Sequence, residues 1–268
     1  MKLVIGISTM NEGIFSLLSN VSDLKKRYDI IICHQITNGN VYTYPEGLGE
    51  NIKIIPKLEK GLSKSRNVLL NAAIEGNADY IIISDEDVEY EVDNLSVFVE
   101  DLISNVNINS HYQFKSITPD GRDRKKYPID RYELGLLDIF KVSSIEMCLN
   151  IDLLVKDRIM FDENFGLGAD YPVGEEAVLL ADVVKRKQKI TFIPIAITIH
   201  PIESTGLQLF TQPLMVISRG AMFRRCFGLA LGALTMTMFW LKKFALRRNN
   251  AGDISSVKAI KLLIKGFK

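Results

Sequence analysis

The sequence is poor in the residues that form cross-links and metal clusters. Only three cysteines and three histidines occur among 268 residues, and the cysteines are scattered. This excludes a disulfide framework or a zinc cluster and favours a reducing cytoplasm. Acidic residues are nearly absent from residues 215–268, which carry a net charge of +10, whereas residues 1–214 carry −9. An acidic body with a basic tail predicts a globular domain on an anionic surface.

Long apolar runs are also missing. The uncharged run at 227–241 has 15 residues, whereas a spanning helix needs about 20. Basic residues flank it on both sides, so it predicts a helix lying in a membrane interface, with Phe239 and Trp240 at headgroup depth. Residues 257–267 predict a second basic amphipathic segment. A buried core helix and a dimer interface are the alternatives. The N-terminus becomes polar too soon for a signal peptide and predicts a first strand.

Short apolar runs alternate with helical patterns in the first part of the chain. Strands are predicted at 3–7, 29–33, 52–55 and 80–83, and helices at 14–24, 68–74 and 93–106. This order predicts an α/β fold with a mostly parallel sheet flanked by helices. The polar stretch 109–133 predicts a loop or hairpin tip, either simply solvated or folded over a phosphorylated ligand. Further on, the sequence predicts a strand at 145–149, a helix start at 153–155, a helix at 177–186, and a β-rich stretch, 189–199, split by Pro194.

Two carboxylates follow the apolar run Tyr80–Ile83, at Asp85 and Asp87. Ligands in open α/β sheets bind beyond the carboxyl ends of the strands. Carboxylates two positions apart at such a place can share a divalent cation, and oxygen ligands suit Mg²⁺ or Mn²⁺. The alternative is a solvated acidic turn.

A second acidic motif, Gly174-Glu175-Glu176, opens a predicted helix. A carboxylate at a helix start beside a pocket can serve as a general base. The alternative is a capped helix with two solvated acids.

Four segments carry a family resemblance: the turn with Thr9, Asn11 and Glu12, residues 61–67, residues 79–87, and residues 161–165 with 174–176. In this order they resemble the family 2 glycosyltransferases, over about residues 1–202. The resemblance implies a GT-A fold and an inverting enzyme that uses a nucleotide-sugar donor and Mn²⁺ or Mg²⁺.

The resemblance also implies roles for individual residues. Asp87 would be the direct metal ligand, Asp85 its partner facing the donor, and Glu86 an outward-pointing spacer. His200 would be a third ligand, or alternatively a structural histidine. Glu176 would be the base and Glu175 the fallback.

The donor site is expected to include Thr9, Asn11, Glu12, Arg66, Asn67, Asp85 and Glu86. Arg66 would offer a planar fork of donors to the nucleotide or diphosphate, or alternatively form a salt bridge to Asp85 or Asp87. Gln35 stands where the family has an Asp pair, and it could bond a uracil edge.

The sequence therefore predicts a catalytic domain at 1–205 and a basic, apolar helical extension at 206–268. The expected function is sugar transfer from a nucleotide-sugar donor, UDP-linked, to a saccharide or lipid-linked acceptor at the cytoplasmic face of a membrane, with a homodimer as an open alternative. The alternative functions are a nucleotidyltransferase and a non-catalytic membrane-surface scaffold of GT-A fold. A nucleotidyltransferase would need a Gly-rich basic loop after the first strand, and residues 8–12 do not form one. A scaffold would not need the two acidic motifs, which are both intact. The tail lacks a nucleic-acid-binding module.

Overall fold

The centre of the fold is a mixed nine-stranded sheet. The computed structural model describes residues 1–104, 109–202, 208–247, 250 and 252–268. The strands are β1 (Leu3–Met10), β2 (Asp29–Gln35), β3 (Ile52–Lys57), β4 (Tyr80–Asp85), β5 (Glu89–Tyr90), β6 (Ser110–Ile117), β7 (Tyr132–Glu133), β8 (Met147–Asn150) and β9 (Lys189–Ile199). Their order is β3-β2-β1-β4-β8-β6-β9-β5, and β7 pairs with β9.

The predicted parallel arrangement is confirmed in the first half of the sheet. Strands β3, β2, β1 and β4 run parallel to one another. β8 is antiparallel to both β4 and β6, whereas β6 and β9 are parallel. The carboxyl ends of the four parallel strands therefore meet at one edge, where a ligand site is expected.

Eight α-helices are described: α1 (Gly13–Asn20), α2 (Leu62–Glu75), α3 (Val92–Ser104), α4 (Ile151–Asp157), α5 (Glu175–Lys185), α6 (Pro213–Phe227), α7 (Ala230–Trp240) and α8 (Ser256–Phe267). The helix predicted at 68–74 begins six residues earlier, so Arg66 lies within it. The helix predicted at 14–24 ends at Asn20, and the last two residues of the helix predicted at 93–106 lie outside the described part of the chain.

The stretch 109–133 contains a buried strand, β6, where the sequence predicts only a loop or hairpin tip. Its polar side chains have partners across the sheet: the hydroxyl of Ser110 lies 2.9 Å from that of Thr191, and Gln113 donates to Glu146 at 2.9 Å. Buried polar groups that are hydrogen-bonded in this way can occupy a strand interior. The prediction of a loop at these positions is therefore wrong, because the polar residues belong to a strand inside the sheet.

Pro194 does not split β9 into two strands. Gln113 of β6 pairs with Phe192, and Lys115 pairs with Ala196, so β9 has extra residues between these positions. Pro194 falls in this bulge, where a strand can tolerate the missing N–H group.

Two hydrophobic clusters cover the sheet. One contains Ile5, Leu17 and Phe98, beneath α1 and α3. The other joins Leu69 of α2 and Leu179 of α5 to residues of α6 and α8. The C-terminal helices thus belong to the same core as the helices of the first domain.

Helix α6 is held to the body by charge as well as by apolar contact. Arg225 contacts Asp182 at 2.7 Å and Asp162 at 2.8 Å. The sequence analysis made no separate prediction for this helix, which packs as part of the core. The predicted boundary between residues 205 and 206 lies in a segment outside the described residues.

Phe239 and Trp240, predicted to lie at headgroup depth, are partly buried against neighbouring helices. The ring of Phe239 packs 5.4 Å from that of Phe223, and the indole N–H of Trp240 donates to the carbonyl of Ser256 at 2.9 Å. Both side chains connect α7 to its neighbours. Among the described residues, none of the helices is both long and apolar enough to cross a bilayer.

Candidate active site

The two acidic motifs meet at the carboxyl end of β4, around Arg66. Its guanidinium lies 3.3 Å from Asp85 and 3.1 Å from Glu175. Glu176 is 3.6 Å away. The Arg66 side chain is only 1% exposed, so one buried cation links three carboxylates from two separate parts of the chain.

The first turns of α2 are fixed in three ways, and this sets the position of Arg66. Gly61 has a φ of 133° and precedes the helix, a conformation that favours glycine. The N–H of Leu62 donates to the carbonyl of Leu167 at 2.9 Å. The hydroxyl of Ser65 donates to Ser8 of β1 at 2.8 Å. The guanidinium is therefore directed at the edge of the sheet.

Arg66 stays charged although it is buried. Burial disfavours the charged form, but Asp85, Glu176 and Glu175 outweigh it and raise the pKa of Arg66. Its Nε is buried and lacks a hydrogen-bond partner. Of the two expected roles, the ion pair with Asp85 is present, and the side chain organises the carboxylates.

Glu175 and Glu176 differ in exposure. Their side chains are 7% and 21% exposed, respectively. Burial, followed by the charge of Glu176, raises the pKa of Glu175 to about 7, although Arg66 opposes this rise. Burial therefore favours the protonated form of Glu175, and Glu176 is the carboxylate that a substrate can reach more easily.

Asp87 and His200 form a second pair beside this cluster. Their side chains lie 3.1 Å apart, and the His200 ring also contacts the carbonyl of Pro201 at 2.7 Å. The hydrogen bond between them lowers the pKa of Asp87 and raises that of His200. The Asp87 side chain is 55% exposed, so a ligand can approach it.

Asp85 and Asp87 do not converge on one point. Asp85 faces Arg66 and also accepts a hydrogen bond from Ser144 at 3.5 Å. In the part of the chain that the structure describes, no three side chains of metal-binding type gather together. Asp87 and His200 still fit a cation held by two protein ligands, because Mg²⁺-type sites commonly complete their coordination with substrate phosphates and water.

The prediction that Glu86 points outward is wrong. Its carboxylate accepts hydrogen bonds from the Thr9 hydroxyl and, at 3.1 Å, from the N–H of Met10. A Cβ at Gly13 would lie 2.1 Å from Glu86 Oε2. Glu86 thus ties the loop after β4 to the turn after β1, and Gly13 leaves the room for it.

The Asn-Glu turn faces the segment after β2. Asn11 has a φ of 51° and accepts a hydrogen bond from the N–H of Thr37 at 2.9 Å. The exposed carboxylate of Glu12 accepts hydrogen bonds from Asn38 at 2.9 Å and Tyr42 at 3.0 Å. These groups form a polar wall beside the carboxyl ends of β1 and β2.

Gln35 and Asn67 are engaged with the backbone. The Gln35 amide donates to the carbonyls of Glu59 at 2.9 Å and Gly61 at 3.1 Å. Asn67 exchanges two hydrogen bonds with the backbone of Phe161, at 2.9 and 3.0 Å. Gln35 supports the loop before α2, and Asn67 fixes the segment that leads to α5.

Arg219 of α6 lies near enough to the acidic pair for their charges to interact, and the sequence analysis missed it. Its guanidinium contacts Met222 Sδ at 3.5 Å, and Met222 packs where a Cβ of Gly174 would lie, at 3.0 Å. Burial lowers the pKa of Arg219, whereas the charges of Glu176 and Glu175 raise it. An arginine within a basic tail gave no signal that it faces the acidic pair.

Comparisons with known proteins bear on the fold. No protein-family model matches the sequence, and no curated protein matches it either. A crystal structure of S. aureus TarS 1–349 is similar at 14% identity over 100% of this chain and 70% of that one, with a TM-score of 0.58. A longer S. aureus TarS structure matches over 98% of this chain and 42% of its own.

Two ligand complexes of S. aureus TarS 1–349 are also similar at 14% identity. The complex with UDP-GlcNAc has a TM-score of 0.64, and the complex with UDP has 0.61; each covers 93% of this chain and 74% of that one. At this identity the likeness shows the fold and does not assign the chain to family 2. The chain has a mixed α/β structure of the GT-A, Rossmann-like type.

Proposed function

We propose that this protein is an inverting glycosyltransferase that moves a sugar from a nucleotide-sugar donor, UDP-linked, to a saccharide or lipid-linked acceptor. The observation that carries the proposal is the cluster of Arg66 with Asp85, Glu175 and Glu176 at the carboxyl end of β4. Support also comes from the UDP-GlcNAc and UDP complexes of a neighbour with the same fold.

Glu176 acts as the general base. An acceptor hydroxyl attacks the anomeric carbon while the bond from that carbon to the diphosphate oxygen breaks, and the diphosphate leaves with the bonding electrons. Glu176 takes the hydroxyl proton as the new glycosidic bond forms. Both acids lie at the start of α5, and the greater exposure of Glu176 favours it over Glu175.

Asp87 and His200 are the residues that would hold Mn²⁺ or Mg²⁺. Such a cation, when bound, neutralises charge on the leaving diphosphate. Asp85 would add negative charge near this cation while it remains paired with Arg66.

Calorimetric titration with a panel of nucleotide sugars, with and without Mn²⁺, tests the donor and the metal. We expect binding that requires the metal and is lost in Asp87→Asn. Asp152→Asn is the matched control, because Asp152 is also an exposed carboxylate. It lies in α4, beside the start of β4, whereas Asp87 follows the end of β4. The proposal fails if no nucleotide binds, or if binding ignores both the metal and Asp87→Asn.

Glu176→Gln tests the base. Transfer of radiolabelled sugar should be abolished while donor binding persists. Unchanged turnover would move the role to Glu175 or to another group.

We also propose that α7 binds the protein peripherally to an anionic membrane. One face packs inward through Met236, whereas Leu231 (43%), Leu234 (57%), Met238 (57%) and Leu241 (41%) are exposed on the opposite face. The exposed Lys242 and Lys243 follow directly, so the apolar face adjoins charges of the sign that attracts anionic lipid.

Flotation with vesicles of phosphatidylcholine and phosphatidylglycerol tests this surface. Removal of the whole tail would disrupt the core, so we choose Leu234→Ser with Met238→Ser. Wild type should float, and less so at high salt, whereas the double variant should not. Equal flotation of the two proteins overturns the proposal, and so does a wild type that fails to float. A wild-type dimer that the same substitutions dissociate would identify this face as a dimer interface instead.

A further inference from the structure

A hairpin after β6 returns the chain toward the site. The N–H of Thr118 donates to the carbonyl of Arg122 at 2.8 Å, and the N–H of Arg124 donates to that of Ser116 at 3.1 Å. Lys115 also pairs with Asp123 at 2.8 Å. These contacts fix the backbone of Arg124 beside the end of β6.

The end of β6 lies next to the Asp87–His200 pair. Ile117 pairs with Ile199 of β9, and its carbonyl accepts a hydrogen bond from the N–H of His200 at 2.9 Å. The same His200 contacts Asp87 through its side chain. Arg124 is therefore held close to the position where the donor's diphosphate would lie, and its positive charge contributes to the pKa values of both Asp87 and His200.

The Arg124 guanidinium has no protein acceptor in the described part of the chain. Its Nε is buried without a hydrogen-bond partner. Arg122, two residues earlier, contrasts with it, because its guanidinium is paired with Asp120 at 2.7 Å. A buried donor left unpaired is unfavourable, and a ligand with acceptor oxygens would relieve that cost.

We propose that Arg124 binds the diphosphate of the donor. The planar guanidinium presents a fork of donors that matches phosphate oxygens and suits a bidentate contact. This inference rests on the proposed nucleotide-sugar donor. It adds a binding residue from a hairpin that lies outside the sequence motifs on which that donor was proposed.

Titration with UDP, uridine and inorganic pyrophosphate, all in the presence of Mn²⁺, tests the assignment in wild type, Arg124→Gln and Arg122→Gln. We expect Arg124→Gln to weaken UDP and pyrophosphate binding about tenfold to a hundredfold, the effect of losing a hydrogen bond to a charged group. Arg122→Gln should bind both as wild type does, and uridine binding should be the same in all three proteins. Arg124→Lys should restore part of the affinity, and melting temperatures verify that each variant is folded.

The outcomes separate the two proposals. UDP binding that Arg124→Gln leaves unchanged overturns the role of Arg124 and leaves the donor class intact. An equal loss in Arg122→Gln also overturns it, because the effect would then be one of general surface charge. A folded wild type that binds neither UDP nor pyrophosphate overturns both proposals.

Discussion

Replacing Glu175 with glutamine should stabilise the protein at alkaline pH, although it removes an ion pair with Arg66. Burial and the charge of Glu176 raise the folded-state pKa of Glu175 from 4.5 to about 7. The folded protein therefore holds this proton more tightly than the unfolded chain does. The contribution of this proton to the free energy of unfolding is fully present below about pH 4.5 and is lost as pH rises through about 7.

The size of the effect follows from the two pKa values. The gap between 4.5 and about 7, at about 1.4 kcal/mol for each pH unit, corresponds to about 3 kcal/mol. In Glu175→Gln this loss is absent, and the amide oxygen can still accept a hydrogen bond from Arg66. The variant should match wild type near pH 4.5 and exceed its unfolding free energy by up to about 3 kcal/mol at pH 8.

Urea denaturation across this pH range, in EDTA to exclude bound metal, measures the difference. Glu163→Gln is the control, since Glu163 is an exposed carboxylate bonded to Asn67 at 3.0 Å, and its pH profile should parallel that of wild type. Parallel profiles for Glu175→Gln and wild type would refute the reasoning that burial dominates at this carboxylate.

Three further perturbations address the packing and the missed site residue. Gly266→Ala should lower the melting temperature by several degrees, because its Cβ would lie 1.9 Å from the carbonyl oxygen of Ile217; an unchanged value would contradict the close crossing of α6 and α8. Arg219→Met should slow sugar transfer about tenfold while the protein remains folded, from loss of a charge facing the acidic pair; wild-type turnover would remove Arg219 from the site. Gly13→Ala should destabilise the fold by about 1–3 kcal/mol by displacing Glu86, and Glu86→Ala in the same chain should recover part of that loss; strictly additive effects in a double-mutant cycle would show that the two positions do not touch.

Local patterns were sufficient where one element carries its own signal. The unbroken run Tyr80–Ile83 is typical of a strand buried on both faces, and β4 lies at the centre of the sheet. The acids at the start of α5 and the basic residue at its end likewise favour a helix there. Such signals depend on neighbours within a few residues, so the sequence contains them.

Polar residues inside the fold could not be interpreted in this way. Gln113 lies in a buried strand because Glu146, far along the chain, accepts its hydrogen bond. A pattern of apolar residues does not encode that partner, so the stretch containing β6 was predicted to be a loop. The same limit applies to Glu86, whose direction depends on Thr9 and on the space left by Gly13.

The sequence by itself determined the order of elements from β1 to β4 and the two acidic motifs, since these follow from short-range periodicity and charge. Only the tertiary structure decided that Arg66 joins those motifs and that Asp85 pairs with Arg66 whereas Asp87 pairs with His200. It also placed Arg124, from a hairpin, near the Asp87–His200 pair and Arg219, from a C-terminal helix, near the acidic pair. Long-range contacts set which charges are buried together, and burial determines whether a charge pairs, shifts its pKa or remains free for a ligand.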